Sequence, residues 1–133
     1  MAVKYDGYLN VLFVADLARA RDFYQNVMGL AFAHGQPGVD AFFQVGAAGL
    51  LLIARGTADD LLGPAEVDHG PASGARWVMA TEVDDVDAAY RQLRAAGARF
   101  IRAPEDRPWG LRCAHFADPD GNVWEIHSPV RES

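Results

Sequence analysis

The chain repeats itself, and that constrains its fold more than any single motif does. The segment YLNVLFVADLARARDFYQNVMGLAF, residues 8–32, is answered by WVMATEVDDVDAAYRQLRAAGARF, residues 77–100. Each opens on a short apolar strand. Each continues with an acid able to cap a helix, Asp16 in the first and Asp84 with Asp85 in the second. Helical apolar faces follow, Ala20, Phe23, Tyr24 and Val27 against Val86, Ala89, Tyr90 and Leu93. Glycine then stops each helix, at Gly29 and Gly97. Aligning Asp16 with Asp85 pairs Leu9 with Val78 and Val14 with Val83, a repeat of roughly 70 residues.

Strand-like sequence follows each helix. In the first half it is LAFAHGQ, VDAFFQVG and GLLLIARG, separated by PG and AAG turns. In the second half it is ARFIRAP, WGLRCAHFA and NVWEIHSP, the last two joined by DPDGN, where Pro119 and Gly121 are turn residues. The order is β-α-β-β-β, twice, within one α+β domain. The modules run over about residues 7–56 and 76–128. Between them residues 57–75, TADDLLGPAEVDHGPASGA, read as a linker in which Leu61 and Leu62 offer apolar contacts to a partner or a pocket.

Composition removes several function classes. Twelve basic and eighteen acidic residues give a formal charge of −6, which disfavours binding to a phosphate backbone and leaves nucleic acid an unexpected partner. The same charge mildly favours neutral or cationic small ligands. One cysteine, Cys113, allows no internal disulfide. There is no 18-residue apolar run and no signal-like start, so the expectation is a soluble cytoplasmic protein without membrane contact.

The pieces VADLARARDFYQNVMGL, VDDVDAAYRQLRAAGA and DPDGNVWEI, in this order and at these separations, resemble the vicinal oxygen chelate superfamily. That group includes glyoxalase I, extradiol dioxygenases, fosfomycin-resistance enzymes and bleomycin-resistance proteins. The PWG loop before DPDG is similar to the bleomycin-resistance branch. The resemblance spans nearly the whole chain. It implies two tandem βαβββ modules forming an open, curled mixed sheet around a cavity, and it implies a homodimer.

Strand alternation then assigns faces. Trp124 and Ile126 belong under the helices, which turns Val123, Glu125 and His127 to the cavity. Ala114 and Phe116 leave Leu111, Cys113 and His115 on the cavity side. Leu12 and Val14 leave Leu9, Val11 and Phe13 there, and Val83 leaves Val78, Ala80 and Glu82. Of Phe42 and Phe43, one ring faces the core and one the cavity; the ligand-facing set takes Phe43. Trp109, held between Pro108 and Gly110, suits stacking on a planar or cationic ligand. Cys113 reads as a buried free thiol.

Metal-dependent members of the resembled family hold a divalent ion with His or Gln on the first strand and Glu on the last strand of each module. The first-strand positions here are Leu9 and Val78, and GLLLIARG offers no ligand; only Glu125 matches. A catalytic ion needs three or four ligands and an open position. The expectation is therefore no metal and no cofactor. The alternative is one divalent ion on His115, Glu125 and His127, of which the last two sit about 6.5–7 Å apart along one strand. An ionised Glu125 in an apolar cavity must pair or show a raised pKa, and His115 is the partner expected to decide its charge, with Arg112 facing away. The leading reading is metal-independent binding of a small aromatic or cationic molecule, with antibiotic sequestration as the implied use. The lining set is Leu9, Val11, Phe13, Phe43, Val78, Trp109, Cys113, His115 and Glu125. The competing reading is an enzyme of lyase, isomerase or oxygenase type, using a divalent metal or Glu125 as base.

Overall fold

Asp16 and Asp85 both cap helices as their positions predict. Each has an extended backbone (φ −130°, ψ 101° and φ −144°, ψ 106°), and each carboxylate accepts an amide hydrogen bond from three residues on, Arg19 and Ala88, both at 3.1 Å. Such a bond satisfies one of the donors that a helix start leaves over. Gly29 and Gly97 follow the helices at φ 73° and 108°, a region that side chains disfavour. The computed structural model describes residues 2, 4, 8–67 and 77–131.

In chain order the elements are β1 (Leu9–Val14), α1 (Leu17–Asp22), β2 (Ala31–His34), β3 (Asp40–Val45), β4 (Ala48–Ala54), α2 (Arg55–Leu62), β5 (Val78–Glu82), α3 (Val86–Ala95), β6 (Arg99–Asp106), β7 (Leu111–Ala117) and β8 (Val123–Pro129). A π-helical turn, Phe23–Val27, continues α1, and a 3-10 turn, Pro64–Glu66, follows α2. The strands form two four-stranded mixed sheets, ordered β1-β4-β3-β2 and β5-β8-β7-β6. In each, the first and last strands pair in parallel and the rest are antiparallel. The chain divides into two compact units, residues 1–25 with 29–69 and residues 26–28 with 70–133.

The first unit buries Leu12, Val14, Leu50, Leu52, Ala41 and Phe43 on one face of its sheet, beneath Leu17, Ala20, Phe23 and Tyr24. Tyr24 and Phe43 lie 6.1 Å apart between ring centroids, and Phe32 meets Phe43 edge-on at 5.5 Å. Phe43 is therefore a core ring, and its assignment to the ligand side is corrected. Ala41 and Phe43 alternate inward along β3, so the outward ring is Phe42, stacked on His34 at 5.1 Å and lying over the bare Cα of Gly49.

Residues 57–75 are not a plain linker. TADDLL contains neither Gly nor Pro, and it forms most of α2, which begins inside the expected first module at Arg55. The helix stops at Gly63, φ 92°, where Pro64 starts the next turn. Ala58 and Val67, not the leucines, dock this segment, packing with Ile53 against Phe13 and Leu51. Leu61 and Leu62 stay exposed. Residues 68–75 of the expected linker lie outside the described residues.

In the second unit Met79, Ala114, Phe116, Trp124 and Ile126 are buried with Val86 of α3. Tyr90 and Phe100 extend that core, their rings 4.6 Å apart. Arg112 faces away from Glu125, as expected: its guanidinium binds Asp87 of α3 and Asp106 of β6, both at 3.0 Å, which raises its pKa.

Replacing Phe43 with Ala is expected to cost about 3–5 kcal/mol, the usual range for a fully buried phenylalanine. Phe42→Ala is expected to cost clearly less. Denaturant unfolding of the two variants checks the assignment, and equal losses would contradict it.

Candidate functional site

The second unit gathers its titratable side chains through strand register. β7 and β8 place Cys113 opposite His127 and His115 opposite Glu125. The parallel partner β5 sets Val78 beside Val123, Ala80 beside Glu125 and Glu82 beside His127. Paired residues share a face. Since Trp124 and Ile126 are buried on the other side, Val78, Ala80, Glu82, Cys113, His115, Glu125 and His127 occupy one face together. The hairpin before β8 is built by Asp118, a buried carboxylate. One of its oxygens accepts the backbone N–H of Asp120 and Asn122 at 2.9 and 2.8 Å, the other the Asn122 side-chain amide at 2.9 Å. Gly121 completes the turn at φ 86°. This Asx-type turn fixes where β8 starts, and hence which residues face which way.

Glu125 is paired twice. Nε2 of His115 lies 2.9 Å from Oε1, and Nδ1 of His127 lies 2.7 Å from Oε2. All three side chains are about one-fifth exposed. Desolvation pushes the carboxyl up. The hydrogen bonds from His127 and then His115, with the attraction of their charge, outweigh it and hold the group below its ordinary value. His115 pairs with Glu125 as expected, but not alone: His127 makes the shorter contact and the larger hydrogen-bond contribution. Its two-residue offset from Glu125 already carried the signal that both point the same way.

The remaining predicted residues fall as follows. Leu9, Val11 and Val78 are exposed, and Phe13 is half-buried against α2. Trp109 is 68% exposed in a tight loop, where the N–H of Gly110 donates to the Arg107 carbonyl and the Gly110 carbonyl accepts from Val130. Cys113 shares the face of Glu125 but is 1% exposed; burial and then the Glu125 charge push its thiol up, which disfavours the thiolate. Phe43 does not join the set.

The side chains do not fit the divalent ion of metal-dependent relatives. The registers of the two sheets match, with Val11 beside Leu51 where Ala80 stands beside Glu125. Leu51 therefore occupies the place of Glu125 in the first unit, and Leu9 and Val78 hold the first-strand positions. Hydrocarbon coordinates nothing. Both oxygens of Glu125 already bind imidazoles, and among the described residues no three His, Cys, Asp or Glu side chains are grouped to hold a metal ion.

The folded pKa of Glu125 lies below its unfolded value. Its charge therefore adds stability above the ordinary value, near pH 4.5, and that contribution is lost as pH falls through the lower folded value. Glu125→Gln is expected to be less stable than the parent at neutral pH and to converge with it in acid. Unfolding curves collected at stepped pH check this; a constant offset would mean that the charge plays no part.

A family profile, the Glyoxalase/Bleomycin resistance protein/Dioxygenase superfamily, matches residues 7–126. The uncharacterized protein YraH of Bacillus subtilis is 30% identical over 118 residues, 87% of this chain and 92% of its own. A glyoxalase/bleomycin resistance protein/dioxygenase from Nocardioides superposes with a TM-score of 0.83 at 28% identity, over 99% of this chain and 89% of the other. A lactoylglutathione lyase from Agrobacterium tumefaciens superposes at 0.72 and 26% identity, over 93% and 94%. Sequence profile, relatives and fold agree: the chain belongs to the glyoxalase/bleomycin resistance protein/dioxygenase superfamily.

Proposed function

We propose that this chain binds a small aromatic or cationic organic molecule, without a metal ion, on the sheet face that carries Glu125. The observation that supports it most is the double pairing of Glu125. A partly buried carboxylate is costly unless its oxygens are satisfied, and two imidazoles satisfy them without any ion. The groups beside it, Val78 and Ala80, are exposed and apolar, and a few polar groups set among apolar ones suit an organic ligand. Trp109, exposed in a loop pinned at both ends, adds a flat surface for stacking. Binding of this kind needs no chemistry. Antibiotic sequestration by a homodimer of two-module chains, the bleomycin-resistance pattern, is the use we infer.

One observation favours a second reading. Glu125 is a weak base because its pKa is lowered, but an imidazole held by a carboxylate is an oriented general base. An isomerase or lyase built on His115 or His127 would keep the same cluster. A lactoylglutathione lyase stands among the similar structures.

Native mass spectrometry of the purified protein tests the binding reading directly, by showing which molecule travels with it. If the protein only binds, the mass of that molecule stays unchanged on prolonged incubation; a product peak would select the enzyme. Titration with nickel, zinc, manganese and ferrous iron is expected to leave the melting temperature unchanged, and a stoichiometric ion that raises it would sink the metal-free reading. Trp109→Ala is expected to weaken a planar ligand by about 1–3 kcal/mol, measured by calorimetry.

A further inference from the structure

An ionised carboxylate only accepts hydrogen bonds. The two ring nitrogens that face Glu125, Nε2 of His115 and Nδ1 of His127, must therefore each carry the proton. Above the pH at which they protonate, the two imidazoles are neutral with one N–H each, so Nδ1 of His115 and Nε2 of His127 are then bare lone pairs. Neither makes another hydrogen bond among the described residues, and neither is a buried nitrogen left without a partner. Their side chains are about one-fifth exposed.

The charges around the pair have a bias. On β5, Glu82 stands beside His127. On β6, Arg102 stands across from His115 and Glu105 across from Cys113, with Arg107 within 3.7 Å of Glu105. The Cys113 thiol stays neutral. With Glu125 ionised, three carboxylates face two guanidinium groups.

We propose that Glu125 locks both histidines in tautomers that present acceptors, so that the site selects a ligand carrying an ammonium group and rejects a carboxylate. This rests on the binding reading above and narrows it. Two lone pairs and an excess of negative charge attract an N–H cation. A carboxylate would bring a third acceptor against the two bare nitrogens and the Glu125 charge, with the exposed Arg102 across from His115 as the donor within its reach. Glu125 is then a positioning residue for specificity. It sets what the imidazoles offer, and the imidazoles touch the ligand.

Two-bond 1H–15N spectra of histidine-labelled protein, above the pH at which imidazoles protonate, read the tautomers directly. The expected result is Nε2–H for His115 and Nδ1–H for His127; the opposite tautomer at either ring overturns the lock. The same spectra are then followed during titration with phenethylamine and with phenylacetate, which share a ring and differ in charge. Phenethylamine is expected to bind at least about tenfold tighter. Equal binding, or preference for phenylacetate, overturns the selectivity while leaving ligand binding intact. If neither probe shifts His115, His127 or Trp109, the proposal and the binding reading fall together. Glu125→Gln, which can accept from one imidazole but must donate to the other, is expected to shrink the preference for the amine. An undiminished preference in a folded variant overturns the assignment to Glu125.

Discussion

In each unit the strand before the first helix lies parallel to the last strand, in the same register: Leu9 beside Gly49 and Val11 beside Leu51 in one, Val78 beside Val123 and Ala80 beside Glu125 in the other. The faces depend on that pairing. A one-residue slip would turn Trp124 and Ile126 outward and bury Glu125. The slip is resisted from two sides. Asp118 holds the turn that starts β8 through three hydrogen bonds, and the inward large residues of β7 and β8 cannot be left in water without losing about 1.5–3 kcal/mol each.

The repeat also shows what has diverged. In the first unit the outward positions of the parallel pair are Leu9, Val11 and Phe13 with Gly49, Leu51 and Ile53, and α2 covers the Ile53 end. In the second they are Val78, Ala80 and Glu82 with Val123, Glu125 and His127. One scaffold carries hydrocarbon on one sheet and a charged cluster on the other. A carboxylate in the place of Leu51 would have no imidazole beside it, because the following outward residue is Ile53. In β8 the two-residue period delivers His127, and the neighbouring strand delivers His115.

Much of this was legible in the sequence because it depends on period and on local chemistry. The caps at Asp16 and Asp85, the stops at Gly29 and Gly97 and the inward pairs of β7 and β8 need only neighbours a few residues away. Phe42 and Phe43 are a different case. Adjacent identical rings give alternation no handle, and the choice is made by Tyr24 and Phe32 arriving from distant sequence. The helix over Arg55–Leu62 was hidden by the Gly and Pro on its C-terminal side, which coloured the whole segment as linker. The π-helical turn at Phe23–Val27 has no signature in the apolar pattern, which reads on as one helical face while Phe23 and Tyr24 are buried. The pairing of His127 with Glu125 is likewise masked in the sequence. Ser128 and Pro129 suggested a strand end, yet β8 runs through Pro129 and keeps the imidazole against Glu125.

A carboxylate whose two oxygens are both taken is a poor anchor for a ligand. Any ligand that bound Glu125 directly would have to displace an imidazole from a contact of 2.7 or 2.9 Å. Charge-assisted bonds of this kind are roughly twice as strong as neutral ones, and breaking one leaves a half-buried anion short of a donor. In the proposed site the imidazoles would meet a ligand through the outer nitrogens of His115 and His127. Glu125 matters by deciding what those nitrogens carry. A single residue that matches the metal-binding pattern of the family therefore need not be a remnant of a metal site. In this chain it has become the internal partner of two histidines, and the polarity of the face follows from it.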